Sequence, residues 1–173
     1  MSVKELESAD FLVDIKEPKK AKGPVKREFV LSEDMKMMAS EIIKEERLDV
    51  YPAKIEYVLV YPNISKTMAG KCVKTGKELK FFSNLDYVIE MSGELWDALD
   101  EETRKILLEH ELRHILILQN DNSGEWKFKI RKHDIQDFGK IVSKNGVDWI
   151  KRVKLSLSAI YGLTPAEEDN IQI

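Results

Sequence analysis

The first regular apolar pattern in the chain predicts a helix followed by a strand. Ser32 is a favourable N-cap, and apolar side chains recur after it at helical spacing, which predicts an amphipathic helix over residues 33–47. Residues 55–61 (IEYVLVY) are dense in β-branched and aromatic side chains and precede Pro62, so they predict a strand that ends there. This succession favours a fold that mixes α and β elements.

Further short apolar runs predict a small sheet. Residues 68–73, a turn at residues 74–77 and residues 79–82 are typical of a β-hairpin. Residues 85–91 (LDYVIEM) alternate apolar and polar side chains, which predicts one more strand. We therefore expect a small mixed or antiparallel sheet.

Helical patterns dominate the second half of the chain. Residues 93–99 predict a short helix, and Asp100 caps a longer helix that is predicted to run through Gln119. After a turn at residues 120–124, apolar and basic side chains alternate over residues 126–131 as in a strand. Two further helices are predicted, one from about residue 135 to residue 142 and one over residues 147–161. The expected class is α+β, with the sheet packed on the helix after Asp100.

The regular patterns are confined to the middle of the chain. With 173 residues, one domain is the strong expectation, and we place it at residues 32–162. Residues 1–31 mix charges with prolines and predict a flexible basic arm, whereas residues 163–173 predict a loose acidic tail.

Composition narrows the classes of function. Twenty-eight Lys and Arg against 31 Asp and Glu give a net charge of -3, which argues against a dedicated duplex-DNA binder. The single cysteine, Cys72, excludes an internal disulfide framework and a cysteine-rich metal cluster. The sequence has neither an apolar run long enough to span a membrane nor a secretory signal, so we expect a cytoplasmic protein.

Two basic stretches are candidates for contact with nucleic acid. Residues 16–27 (KEPKKAKGPVKR) hold six basic residues and one acid, and in residues 127–132 basic side chains alternate with Phe128 and Ile130. The alternative interpretations are a solvated tail and the wet face of an ordinary amphipathic strand.

The strongest chemical signal is the pentapeptide HELRH at residues 110–114, inside the longest predicted helix. Four residues advance a helix by about 400°, so His110 and His114 project from one face and can share a tetrahedral metal ion. Glu111 lies about 100° further round, where its carboxylate can act as a general base. This HExxH pattern predicts a zinc site.

A catalytic zinc ion needs three protein ligands, so one more is expected. His133 is the third histidine of the chain and follows His114 after 18 residues, enough for the helix to end and the chain to return as a strand. The rivals are the carboxylates of Asp134, Asp137 and Glu125. If His133 is the ligand, Asp134 or Asp137 is placed to orient a ligand histidine.

These residues resemble the zincin metallopeptidases. The metzincin pattern, with a glycine and a third histidine soon after HExxH, is absent, because residues 115–118 continue as an apolar run. The longer gap to His133 is similar to that of the SprT-like minimal zincins. The likeness is closer still to a metallopeptidase family of bacteriophage and prophage genomes. It rests on the order of five features over residues 55–145: a strand like DYVI at residues 86–89, Trp96, the HELRH helix, His133-Asp134, and Asp137-Phe138.

The resemblance implies a minimal zincin-like fold in which an edge strand of the sheet lines a substrate cleft. It also implies that His110, His114 and His133 bind Zn²⁺ and that Glu111 is the base. SprT-like proteins commonly have a glycine after the third histidine and often an added zinc ribbon, whereas this chain has Asp134 and a single cysteine. A role in DNA repair is therefore not implied. If a phage encodes the chain, as the resemblance implies, the expected location is the host cytoplasm.

The leading hypothesis is hydrolysis of a peptide bond in a protein or peptide of unknown identity. The oxyanion donor stays open between Tyr161, Arg113 and a tyrosine of residues 55–61, although helical phase turns Arg113 away and favours a surface or salt-bridge role. The competing hypothesis is a catalytically silent zincin-fold module that binds a host protein or nucleic acid. Glu111 favours catalysis, because a structural metal site has no use for that carboxylate.

Overall fold

The chain forms helices around a small mixed sheet, which confirms the α+β class. The computed structural model describes residues 26–133 and 138–173. In these ranges the elements are β1 (Glu28–Leu31), α1 (Glu33–Glu45), β2 (Ile55–Tyr61), β3 (Gly70–Lys74), α2 (Lys77–Ser83), β4 (Tyr87–Ser92), α3 (Gly93–Ala98), α4 (Glu101–Arg113), β5 (Ile115–Gln119), β6 (Trp126–Ile130), α5 (Gly139–Asn145), α6 (Asp148–Tyr161) and α7 (Pro165–Glu168). None of the described helices is long and apolar enough to cross a membrane.

The main sheet is small and mixed, as expected. Its strand order is β1-β2-β4-β3, in which β2 and β4 run parallel and the two outer strands run antiparallel to their neighbours. In the register, Tyr57 lies opposite Ile89 on one side of β4 and Cys72 lies opposite Ile89 on the other. Strand β3 is therefore an edge strand of this sheet, and it is the strand nearest α4.

The core surrounds helix α4. All eight residues from Ile106 to Arg113 are buried, so this helix has no solvent-facing side in its second half. It packs against α1, α5, α6 and β3. The largest fully buried side chains around it are Met35, Tyr87, Ile89, Met91, Leu95, Ile141, Trp149 and Leu157. Four of the five HELRH residues, from His110 to Arg113, are consequently buried, whereas His114 at the helix end is half-buried.

Side-chain caps set the starts of two predicted helices. The Ser32 hydroxyl accepts a hydrogen bond from the Met35 amide at 3.2 Å, and the Asp100 carboxylate accepts one from the Thr103 amide at 2.7 Å. The Thr103 hydrogen bonds lower the pKa of Asp100. The predicted N-terminal boundaries of α1 and α4 are confirmed.

The predicted hairpin at residues 68–82 is wrong in its second half. Residues 77–83 form helix α2, which buries none of its side chains, and Phe81 and Phe82 are more than four-fifths exposed. Strand β3 pairs with β4 instead. Just beyond these strands, the Thr75 amide donates a hydrogen bond to the Asp86 carbonyl at 2.9 Å. A short apolar run does not distinguish strand from helix, and here the pairing of β3 is already satisfied by β4.

The predicted helix through Gln119 ends earlier. Helix α4 stops at Arg113 with His114 as its C-cap, and residues 115–119 form β5, which pairs antiparallel with β6. Ile115 and Ile117 are β-branched and pack toward the core, which is the two-residue period of a strand. The sequence does not show this period, because all four residues of the run ILIL are apolar. The strand predicted at residues 126–131 is confirmed as β6.

Regular elements occur in two segments that the sequence analysis assigned to the arm and the tail. Residues 28–31, which were assigned to the basic arm, form β1 against β2. The predicted loose tail contains helix α7, whose first turn is closed by a capping box between Thr164 and Glu167. Ile171, further along the tail, is only 7% exposed. Residues 1–25, including most of the basic stretch at residues 16–27, lie outside the described residues.

Candidate metal centre

Three elements bring the histidines together. His110 lies in the last turn of α4 and is fully buried, and His114 follows as the C-cap of the same helix. The chain then runs out along β5 and returns along β6, which ends at Ile130, so His133 lies three residues beyond the strand. The hairpin thus delivers the third ring to the end of the helix.

The three imidazoles face a common point. The Nε2 atom of His133 is 2.9 Å from Nε2 of His110 and 2.9 Å from Nε2 of His114. Among the residues that the structure describes, these three side chains form a group whose ligand atoms lie close enough together to hold a metal ion. Glu125 is exposed at the β5–β6 turn beside Ser123 and is not part of the cluster. Asp134 and Asp137 lie outside the described residues.

A backbone carbonyl sets the tautomer of His114. Its Nδ1 atom is 2.7 Å from the Arg131 carbonyl oxygen, which can only accept, so Nδ1 carries the proton and Nε2 holds a lone pair toward the cluster. The Arg131 amide also donates to the His114 carbonyl at 2.7 Å. This is the arrangement that orients a metal-ligating histidine.

Aromatic side chains enclose the cluster. The Phe138 ring centroid lies 5.4, 5.0 and 5.3 Å from those of His110, His114 and His133, and the Phe138 side chain is 4% exposed. Trp149, fully buried on α6, lies 5.7 Å from His110. The sequence signalled Phe138 only through the family resemblance, and it placed Trp149 in a helix without any signal for this position.

Glu111 is buried beneath the edge strand β3. A backbone hydrogen bond from Cys72 stabilises the carboxylate, and its Oε2 atom has no hydrogen-bond partner among the described residues. Burial raises the pKa of Glu111 to about 7, against the opposing effects of His110 and the Cys72 amide. A buried carboxylate with a raised pKa and one unpartnered oxygen is suited to exchange a proton with a small molecule.

A glycine lets β3 approach this carboxylate. A Cβ atom added to Gly70 would lie 3.1 Å from Oε1 of Glu111 and 2.7 Å from Sδ of Met91. Sequence reasoning missed this residue. A glycine inside a strand was the available signal, because it marks a close backbone approach.

Two cavities open beside the cluster. One of about 190 Å³ is lined by the β3 edge together with Glu111 and His114, and one of about 430 Å³ lies beside His133 and α6. Both are large enough to admit water and short peptide side chains.

The oxyanion candidates make other contacts. Arg113 is only 6% exposed and donates to Glu109 at 2.8 Å and to Glu46 at 3.2 Å, which is the salt-bridge role that its helical phase favoured. The Tyr61 hydroxyl donates to Asp97 at 3.0 Å. The Tyr161 hydroxyl accepts from Asn63 at 2.9 Å. The other tyrosine of β2 is Tyr57. Burial raises the pKa of its hydroxyl, which therefore stays protonated.

The basic side chains of β6 are exposed. Lys127 and Lys129 face solvent, Phe128 is partly buried, and Trp126, 41% exposed, makes an edge contact with Tyr51. Contact of this strand with nucleic acid stays a prediction.

The chain was compared with known protein families, curated proteins and solved structures. The model of a protein family described as "Putative phage metallopeptidase" matches residues 27–158, which include all three histidines and Glu111. No curated protein and no solved structure matches the chain.

Proposed function

The chain belongs to this phage metallopeptidase family, and on that premise we propose that it is a zinc-dependent peptidase that hydrolyses peptide bonds. In this proposal His110, His114 and His133 hold the ion and Glu111 is the general base. The observation that carries the proposal is the convergence of three Nε2 atoms beside a buried carboxylate.

The donor set favours zinc. Three neutral imidazoles that leave one position open are a common ligand set of catalytic zinc, whereas Mg²⁺ and Ca²⁺ take oxygen ligands. The Nδ1–H of His114 is held by the Arg131 carbonyl, which keeps the Nε2 lone pair available. The residues present therefore fit the ion that the family implies.

The protein groups have separate roles in the proposed reaction. A bound zinc ion would supply a Lewis acid that polarises the carbonyl and lowers the pKa of water. Glu111 accepts a proton from the attacking water at Oε2, the oxygen that has no hydrogen-bond partner among the described residues. Glu111 then returns the proton to the leaving amine. Phe138 and Trp149 exclude bulk water from the far side of the rings.

Two variants test this proposal. We expect about one zinc per chain by plasma mass spectrometry in the wild type and in Glu111→Gln, and much less in His133→Ala. Release of peptides from labelled casein should fall about 100- to 10,000-fold in Glu111→Gln. Full activity of Glu111→Gln would exclude the proposed mechanism, and an unchanged zinc content of His133→Ala would exclude His133 as a ligand.

The exposed basic face of β6 favours one second candidate, a silent zincin-fold module that binds a partner. Lys127 and Lys129 lie on the hairpin that carries His133, so a partner bound there would lie close to the cluster. Wild-type protein that holds zinc but cleaves nothing, and that loses a partner when these lysines become Ala, would favour it.

A further inference from the structure

The C-terminal residues add a short strand beside the candidate metal centre. The Gln172 amide donates to the Thr67 carbonyl at 2.7 Å, and the Ala69 amide donates to the Gln172 carbonyl at 3.1 Å. Together they form a parallel bridge between Gln172 and Met68. The backbone just before β3 therefore satisfies its outward-facing groups with the chain's own tail.

This tail lies in both openings of the centre. Gln172 and Ile173 line the cavity of about 190 Å³ together with Glu111 and His114. With Ile171 they also line the cavity of about 430 Å³ beside His133. An extended peptide that approached the histidines along this edge would meet residues 171–173 first.

The attachment of the tail combines one apolar anchor with two backbone hydrogen bonds. Ile171 is 7% exposed and belongs to the main core, Ile173 is partly buried against it, and the Gln172 side chain is exposed. Helix α7 precedes this segment and is tied to α6 by a hydrogen bond from the Ser158 hydroxyl to the Glu168 carboxylate. The segment is held in place, yet its bridge consists of contacts that any peptide backbone can make.

We propose that residues 171–173 occupy the groove in which an extended polypeptide binds, and that they compete with it as a built-in inhibitor. The Thr67 carbonyl and the Ala69 amide are the acceptor and donor that a pairing peptide backbone requires, independent of its sequence. The side-chain positions of Ile171 and Ile173 indicate an occupant with apolar residues on alternate positions. The inhibitory role of residues 171–173 rests on the peptidase function proposed above. Their occupancy of the groove does not depend on it.

The test weakens the bridge at one atom. Gln172→Pro removes the amide that donates to Thr67, whereas Gln172→Ala keeps that amide and shortens only the exposed side chain. The probe is a fluorescein-labelled, C-terminally amidated synthetic peptide with the sequence of residues 167–173, and its binding to metal-free protein is measured by fluorescence anisotropy. We expect Gln172→Pro to bind it at least tenfold more tightly than wild type or Gln172→Ala.

Equal, weak binding by all three proteins would overturn the proposal. If circular dichroism shows that Gln172→Pro does not fold, Ile173→Ser replaces it, because this variant keeps Ile171 in the core, and the same tenfold gain is required. Casein cleavage on the zinc-loaded proteins should rise several-fold in the variant that binds the peptide. Where the zinc-loaded wild type cleaves casein, a variant that binds the peptide without a rise in cleavage would leave the occupancy standing and would exclude the inhibitory role. Where no protein cleaves casein, peptide binding still decides the occupancy, and the missing cleavage counts against the proposed function instead.

Discussion

Gly70 and Glu111 approach each other so closely that an added Cβ atom at Gly70 would lie 3.1 Å from the Glu111 carboxylate. The same Cβ would lie 2.7 Å from Sδ of the fully buried Met91, so a neighbouring group must move. The position of the proposed base therefore depends on the absence of a side chain on the edge strand.

Gly70→Ala is expected to reduce catalysis more than metal binding. Displacement of Glu111 should lower casein cleavage about tenfold or more, since general-base catalysis contributes 100- to 10,000-fold, while zinc content stays near one per chain. Overpacking against Met91 should cost about 1–3 kcal/mol in the free energy of unfolding. Gly76→Ala is the matched control, because nothing lies within 4 Å of an added Cβ there. Wild-type activity in Gly70→Ala would show that this close approach does not position Glu111.

Phe138→Ala is expected to loosen the histidine cluster. Phe138 packs against all three imidazoles, and truncation of a buried phenylalanine costs about 3–5 kcal/mol. Urea unfolding should show this loss, and competition with a chelator should show weaker zinc binding. Phe82→Ala is the control, because Phe82 is 83% exposed and its removal should change the free energy of unfolding by less than about 0.5 kcal/mol. Equal effects of the two changes would contradict this prediction.

Arg113→Ala is expected to destabilise the fold through Glu109. The Glu109 carboxylate is buried, and without the guanidinium it loses its close cationic partner, which costs about 3–5 kcal/mol in the free energy of unfolding. Replacing both members, as in Glu109→Leu with Arg113→Met, should restore much of this loss. Lys105→Ala, which removes an exposed pair with Glu101, is the control for a surface salt bridge. A double variant as unstable as Arg113→Ala would exclude the unpaired charge as the cause.

The pair between Glu46 and Lys144 predicts a defined pH dependence of stability. The hydrogen bond from Lys144 lowers the pKa of Glu46 below 4.5, and the hydrogen bond to Glu46 raises the pKa of Lys144 above 10.5. The contribution of the pair is therefore present between these values, and it is lost as the pH falls through the lowered pKa or rises through the raised one. Lys144→Ala should be less stable than wild type near neutral pH, and the difference should shrink in acid. Urea unfolding at several pH values measures it, and a difference that grows in acid would contradict the assignment.

Local patterns predicted what local interactions decide. The helical spacing after Ser32, the β-branched run at residues 55–61 and the HELRH spacing each specify one element or one face, and the structure bears out each element. The return of His133 to the helix end also followed from spacing, although the predicted helix end was wrong. Family resemblance supplied the role of the edge strand as the lining of a cleft.

Long-range pairing decided what the sequence left ambiguous. Residues 79–82 and 115–119 are both short apolar runs, and the difference between them lies in their pairing partners. Residues 115–119 pair with β6 and form a strand. Strand β3, the expected partner of residues 79–82, pairs with β4 instead. The contacts of Trp149 and Gly70 with the centre depend on how distant elements pack, so no local pattern reveals them. The tail looked loose because its polar composition hides a single anchoring side chain, Ile171.

The β5–β6 hairpin has a thermodynamic consequence. His114 and His133 are 19 positions apart in sequence, but their Nε2 atoms are 2.9 Å apart in the folded chain. In the unfolded chain the distance between these two atoms varies widely, and bringing them together costs loop-closure entropy. An ion that joins them binds the folded chain alone, and it adds about 4 kcal/mol to stability when its free concentration is about a thousand times its dissociation constant. Survival of the protein against heat and cellular proteases should therefore follow the supply of the metal, so that abundance itself reports whether the centre is filled.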